Sequence, residues 1–443
     1  MKKVIQLFIL LTFIIGGCEF NPHVNPGAEH PGLGFLKKYP GDLAVKWNRL
    51  QMQISRTTPG FNTGLATRAF AYSGLTLYES MIKAIPGHRS VASKLMNEDI
   101  NGHSLPFIHW PASGNAAMAF ALRSFIPTAN AANLARIDSL EKAFADEYKT
   151  EVSDATFNNS VEYGRGIAEK IFDWSKSDGV AEAAAKNGSY VIPTGEGLWK
   201  PTPPGFVFPV NVYASETRTF VKNSPTITMA AAPIPYSSAV NSPFYNQVKF
   251  VYDYSQHLTA DEINIVKTWG EFPGNFTQAL RYVSIAIQVI DDTNLPLADA
   301  VVTFAKHNMA IQEAGPCVFM SKYKYNVVRP ITYIHDVMGF GGWTALNTTP
   351  PHPEYPSAHA CVGRASSRIL EIHLGKHFSF TDMTHGSTYG PPRTYNSLKA
   401  YSDESGWSRV LGGIHYVGSM EAGRTQGEKV GNLINDLFRP DVN

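Results

Sequence analysis

Apolar positions recur at three- and four-residue steps along most of this chain. Leu134, Ile137, Leu140, Phe144 and Tyr148 form one series, and Val161, Gly164, Ile167, Ala168 and Ile171 another. Each series puts its members on one face of a helix. Residues 62–84 contain no proline and carry Phe70, Leu77 and Met81 at helical spacing. Thr259-x-x-Glu262 is a capping-box signature for a further helix start. Leu297 to about Lys324 reads as one long helix despite Pro316. Alternation of period two is weak everywhere. The pattern predicts an all-α fold, with antiparallel helices in one or two bundles.

Three stretches interrupt it. Residues 186–250 hold Pro193, Pro201, Pro203, Pro204, Pro209, Pro225, Pro233, Pro235 and Pro243, a density that forbids long helices. This segment is expected to be an extended connection between an N-terminal helical lobe, 46–185, and a C-terminal catalytic domain, 251–438. Residues 339–357 are rich in Gly and Pro, and 378–408 are expected to be irregular too. At 443 residues the chain suits two closely packed lobes or one large helical domain.

The first residues change the picture. Met1-Lys2-Lys3, an apolar run from Val4 to Ile15, and Gly16-Gly17 make 1–17 a secretory leader, too short to span a bilayer. Its end resembles a bacterial lipobox with Cys18 as the lipid-bearing residue; a plain leader cut near Gly17 is the alternative. The lipobox implies export and lipid anchoring in the bacterial cell envelope, with 18–45 as a tether. Without Lys2 and Lys3 the chain has 36 basic and 37 acidic residues. No basic surplus favours nucleic acid, so any anion must be held by local clustering. Cys317 and Cys361 are either a disulfide or two buried thiols. No Cys-x-x-Cys or His-Glu-x-x-His pattern supports zinc.

Three segments of the last third carry candidate chemistry. Lys322 and Arg329 are seven apart, nearly two helical turns, which places both cations on one helix face before Pro330 stops the helix. Such a pair repels unless an anion sits between; a solvated basic face is the bland alternative. Pro353-Glu354-Tyr355-Pro356-Ser357-Ala358-His359 offers a hydroxyl, an approachable N–H and an imidazole at what reads as a helix N-terminus, a natural oxyanion pocket, or merely a capping Ser and an ordinary His. Arg409 and His415 point apart in an unbroken helix, but Gly412-Gly413 breaks it and lets them converge. Three cations, two neutral donors and two imidazoles then enclose one tetrahedral anion, and imidazoles beside such an anion should protonate easily.

Lys-x6-Arg-Pro, Pro-Ser-Ala-His and Ser-Arg-x5-His, in that order, resemble the signature of the vanadium-dependent haloperoxidases and the type-2 phosphatidic acid phosphatase superfamily. Ala358 stands where the signature has Gly, and Ser419 where many members have an orienting Asp. The resemblance implies an enzyme that uses a vanadate cofactor, hydrogen peroxide and a halide to make hypohalous acid for an organic acceptor. It implies that His415 bonds vanadium, that His359 is the acid–base group, and that Lys322, Arg329, Ser357, Ala358 and Arg409 hold the oxygens, with Lys322 polarising the peroxide. His352 stands where chloride-oxidising members have Phe and bromide-oxidising ones often have His, which favours bromide or iodide. The alternative is an acid phosphatase using the same cage, phosphate in place of vanadate, and a phosphohistidine at His415. A phosphate-binding surface lipoprotein is a third reading.

Overall fold

The computed structural model describes residues 35–101, 107–272 and 276–439. The expected leader, Cys18 and the first part of the expected tether lie outside the described residues. Residues 35–45 are not tether. Phe35–Lys38 forms a 3-10 turn, Leu36 is fully buried, and α1 (Asp42–Thr57) starts at once with Leu43, Ala44 and Val45 turned inward.

The N-terminal periodicities hold. Asn62 caps α2 (Thr63–Glu79), which stops short of residue 84 and leaves Ile82–Ala84 as a 3-10 turn. The short α3 (Val91–Met96) leads to α4 (Trp110–Phe125), α5 (Ala131–Tyr148) and α6 (Asp154–Ser175). On α5, Ile137, Phe144 and Tyr148 are buried while Leu134 stays exposed. On α6, Gly164, Ile167, Ala168 and Ile171 are buried. α7 (Val180–Lys186) follows and buries none of its residues.

The proline-rich connection contains only short helical turns, among them α8 (Ser224–Ile227). It ends at 242 rather than 250. Pro243 sits in the first turn of α9 (Pro243–Ser255), where its missing N–H costs nothing, and Ser242 caps that turn. Both halves of the expected capping box, Thr259 and Glu262, are formed at the start of α10 (Ala260–Trp269). After α11 (Gln278–Asp292), α12 (Leu297–Tyr325) runs through Pro316 as one helix.

Pro330 does not stop that helix. Asn326, at φ 49°, ends it four residues earlier, and Pro330 begins α13 (Pro330–Asp336) with Arg329 at its N-cap. Lys322 and Arg329 therefore do not share a helix face. α14 (Ala358–Leu374) is capped by Ser357, as expected. A two-stranded antiparallel sheet, β1 (Phe380–Asp382) with β2 (Arg393–Tyr395), pairs Phe380 with Tyr395. The stretch expected to be irregular to 408 is so only to 397, because Ser397 caps α15 (Leu398–Leu411). α16 (Val417–Leu437) completes the described chain.

α2 packs along α12, α12 along α14, and α14 against α15 and α16. One hydrophobic core runs from Leu43 through Phe304 to Phe438, so the two halves of the chain share it. α14 and α16 approach closely: a Cβ on Gly427 would stand 2.0 Å from the Cys361 carbonyl oxygen, so only glycine fits. A second, smaller core around Phe244, Tyr333, Trp343, Tyr355 and Tyr416 backs the loops that carry the candidate site. Cys317 and Cys361 are both buried free thiols. Among the described residues no helix is long and apolar enough to cross a membrane.

Candidate active site

The last turn of α12 supplies Lys322. The chain then turns at Asn326 and runs extended to Arg329. The proline-rich connection pins this turn: Trp199 N–H donates to the Asn326 carbonyl at 2.8 Å, and Val328 N–H to the Gly197 carbonyl at 2.9 Å. The Gly/Pro-rich loop before α14 is laid across it by Glu354 N–H, which donates to the Val327 carbonyl at 2.9 Å. Lys322 Nζ donates to the carbonyls of Pro353 and Glu354 at 2.9 and 3.0 Å. The Arg329 guanidinium donates to the carbonyls of His352 and Ile414 at 3.0 and 2.7 Å. It also faces His352 Nδ1 at 3.0 Å and His415 Nε2 at 3.4 Å. Two cations from one segment thus tie together the loops bearing His352 and His415.

The other two elements behave as their sequence suggests. Ser357 Oγ accepts Ala360 N–H at 3.5 Å, a long contact, and Ser357 N–H donates to the Ser419 carbonyl at 3.1 Å. His359 follows in the first turn of α14. Arg409 leaves the end of α15, and Gly412 and Gly413, the latter at φ 78°, turn the chain so that His415 comes back beside it. A cavity of about 260 Å³ results, lined by His352, Ala358, His359, Arg409 and His415 among others. Lys322, Arg329 and Ser357 are fully buried outside that lining. Arg329 reaches two of the lining histidines, and Ser357 is chain neighbour to a third lining residue, Ala358. Every residue singled out in the sequence therefore belongs to one neighbourhood.

Glu354 is the member sequence reasoning missed. It lies in the middle motif, fully buried, and its Oε1 is 2.8 Å from His415 Nδ1 and accepts Tyr416 N–H at 2.9 Å. Ser419 Oγ is farther from the same ring nitrogen, 3.3 Å. The carboxylate that orients His415 thus comes from in front of Ser357 rather than from position 419. The sequence signal was an acid inside a motif whose other polar members all had assigned roles.

Charge is unbalanced here. Lys322, Arg329 and Arg409 are buried; the buried Glu354 carboxylate acts on the first two, and the exposed Glu271 on Arg409. Burial lowers Lys322 well below its ordinary value, with Arg329 adding to the effect. Burial also brings Arg329 and Arg409 down to about 10 and pushes Glu354 above the usual carboxylate range. His352, His359 and His415 are each held well below an ordinary imidazole by burial, then by the neighbouring cations. The easy protonation expected from sequence assumed an anion already in place; the protein groups alone favour neutral rings. Nδ1 of His415 then carries its proton toward Glu354, and Nε2 keeps its lone pair. Among the described residues three buried nitrogens of the lining have no hydrogen-bond partner, Gln278 Nε2, His359 Nε2 and Arg409 Nε.

Fold and site define a mostly helical protein with a cavity lined by three histidines, Arg409 and Glu271, with Lys322 and Arg329 buried behind it. In its fold, and over residues 302–442 in its sequence, the chain is similar to the vanadium haloperoxidases. A family model for the VCPO second helical-bundle domain matches residues 302–442. The crystal structure of a bacterial vanadium-dependent iodoperoxidase is similar over 90% of this chain and 97% of its own, with a TM-score of 0.77 and 26% identity. A bacterial vanadium-dependent chloroperoxidase shares the fold in its holo and apo forms. Each has a TM-score of 0.57 at 16% identity, covering 92% and 90% of this chain and 94% of its own. No curated protein matches the sequence.

Proposed function

We propose that the protein is a vanadate-dependent haloperoxidase. The observation that carries this reading is the charge about the cavity. Arg409 lines it and Lys322 and Arg329 are buried behind it, against one buried carboxylate, Glu354, and one exposed one, Glu271. Among the described residues His359 Nε2, Arg409 Nε and Gln278 Nε2 have no partner. Burying cations unpaired is costly, so the missing partner is a small, highly charged oxyanion. Vanadate fits this donor set, and the iodoperoxidase likeness favours it over phosphate.

Lys322, Arg329, Arg409, Ser357 and the Ala358 N–H would hold the oxyanion's oxygens. His415 would bind vanadium through Nε2, the nitrogen that Glu354 leaves unprotonated. Bound vanadate supplies a Lewis acid that activates hydrogen peroxide, so that halide, peroxide and a proton yield hypohalous acid and water. His359 Nε2, buried at the cavity and free of other bonds, moves that proton. Lys322, buried behind the lining, would polarise the peroxide electrostatically. His352 lines the cavity with Nδ1 between the Arg329 guanidinium at 3.0 Å and the Pro353 carbonyl at 3.2 Å; in the tautomer that accepts from Arg329, Nε2 carries the proton and would be a donor for halide. Its ring stands edge-on to Phe319, with centroids 5.3 Å apart. A soft, polarisable surround of this kind favours bromide or iodide.

The test is triiodide formation from iodide and peroxide by protein loaded with orthovanadate. Activity that His415→Ala abolishes is expected. Steady hydrolysis of phosphate esters without vanadate, with no halide oxidation when it is added, would replace this reading with the phosphatase.

A further inference from the structure

A second chamber opens outward from the catalytic cavity. It holds about 490 Å³, within the range of small-molecule sites. The two spaces share Gly64, Thr67, Val210, Asn211, Gly315 and Phe319 as a common throat. Their chemistry differs. The inner space is lined by Glu271, three histidines and Arg409, whereas among the described residues no charged or histidine side chain lines the outer one. Leu65, Val180, Ala183, Ala184 and Phe319 make it largely apolar.

Three of the four amides on its walls, those of Asn62, Asn187 and Gln312, are engaged in holding those walls. Asn62 accepts Leu65 N–H at 3.1 Å, and Asn187 accepts Val212 N–H at 3.0 Å while donating to the Pro209 carbonyl. Gln312 accepts from the Thr67 hydroxyl. The throat itself is kept bare. Gly315 lies inside the long helix α12, where alanine is the more stable choice, yet a Cβ there would meet nothing within 4 Å. At Gly64 an added Cβ would meet only the Asn62 amide oxygen, at 3.5 Å.

We propose that the outer chamber binds the organic acceptor, an uncharged and largely apolar phenol-class molecule, and presents it to the throat where oxidised halogen emerges. This rests on the haloperoxidase reading above. In the transfer, an electron pair of the aromatic ring attacks the halogen of hypohalous acid. The C–X bond forms as X–O breaks, and the departing hydroxide takes the ring proton to give water. The ring carbon is oxidised by the two electrons the halogen accepts.

The probe is thymol, an uncharged phenol, titrated calorimetrically against the vanadate-loaded protein without peroxide. Saturable binding is expected. Ala184→Trp should weaken it on the order of tenfold, a loss of one favourable contact patch. α7 buries no residue, so the bulkier side chain disturbs no core. Leu65→Asp, at a side chain already 39% exposed, should weaken it similarly by placing charge in the chamber. 4-Hydroxybenzenesulfonate should bind at least about tenfold more weakly than thymol, because its charge enters an apolar site. Triiodide formation without acceptor should stay unchanged in both variants. Thymol affinity unaltered in both, or equal binding of the sulfonate, would overturn the proposal. Absent triiodide formation in the parent protein would instead sink the haloperoxidase reading, while the thymol titrations still judge the chamber.

Discussion

This protein buries arginine in two ways. Arg364 and Arg281 each meet a carboxylate in the interior. Arg364 Nη1 and Nη2 reach both oxygens of Glu371 at 2.9 and 3.0 Å, and Arg281 Nη2 reaches Asp382 at 2.7 Å. Burial opposes the charge of Arg364, but Glu371 outweighs it and holds its pKa above the ordinary value. Arg329 and Arg409 are as deeply buried, yet their partners are carbonyls and imidazoles. For Arg409 the one hydrogen bond in place is a long 3.4 Å contact to the Trp269 carbonyl, and burial lowers both. Arginine paired with a carboxylate holds helices together. Arg329 and Arg409 instead hydrogen-bond to neutral groups among the described residues, with Glu354 and Glu271 acting on them only through their charge. On the proposed function they await an anion.

The largest effect should separate the two kinds. Arg364→Ala leaves Glu371 buried with only the more distant Arg368, and should cost about 3–5 kcal/mol of stability without touching anion affinity. Arg409→Ala should do the reverse. Orthophosphate affinity should fall about 10- to 100-fold as a charge-assisted hydrogen bond is lost, while stability without anion stays within about 1 kcal/mol. Chemical denaturation paired with phosphate titration reads both, and equal stability losses would erase the distinction.

Ligand should then compensate the site and nothing else. Orthophosphate at a hundredfold excess over its dissociation constant should stabilise the parent protein by about 2.7 kcal/mol. Arg364→Ala should keep that increment, and Arg409→Ala should lose most of it. Thermal melts with and without phosphate measure it; a full increment in Arg409→Ala would place the anion elsewhere.

Glu354 sharpens the comparison within the cage. On the proposed function it holds His415 in the tautomer whose Nε2 would bind vanadium, and its charge would also repel any oxyanion nearby. Glu354→Gln should therefore weaken vanadate binding about 10-fold or more, the usual cost of losing a residue that orients a metal ligand. The same change should leave orthophosphate binding equal or tighter, since phosphate needs no bond to His415. Parallel losses for both anions would mean that Glu354 supports only the fold.

Much of this was legible before any coordinates. The periodicity of α5 and α6 and the Thr259–Glu262 box are local signals, and they held because nothing tertiary opposed them. The residues about the cavity were legible as a group because, on the proposed function, one anion constrains their types and spacing. What failed was local geometry set at a distance. Pro330 reads equally well as a stop or a start, and only the left-handed Asn326 decides it. Residues 398–408 looked irregular beside their Gly- and Pro-rich neighbours, although Ser397 marks a helix start. Glu354 was hidden because it and His415, 61 residues apart, meet only after α14 and α16 have packed on each other.

The smallest expected effect tests where the orienting role resides. Ser419 stands at the place expected for an orienting acid, and its hydroxyl is 3.3 Å from His415 Nδ1 and 3.5 Å from the Glu354 carbonyl. Both contacts are long, and Glu354 Oε1 is closer to the same nitrogen at 2.8 Å. A ring N–H so placed gives its hydrogen bond to the nearer, charged acceptor. Ser419→Ala should thus change vanadate affinity by no more than about twofold, or roughly 0.4 kcal/mol, and leave the orthophosphate value unmoved. A loss as large as that of Glu354→Gln would return the orienting role to position 419, and Glu354 would join Glu371 and Asp382 as an acid that serves the fold.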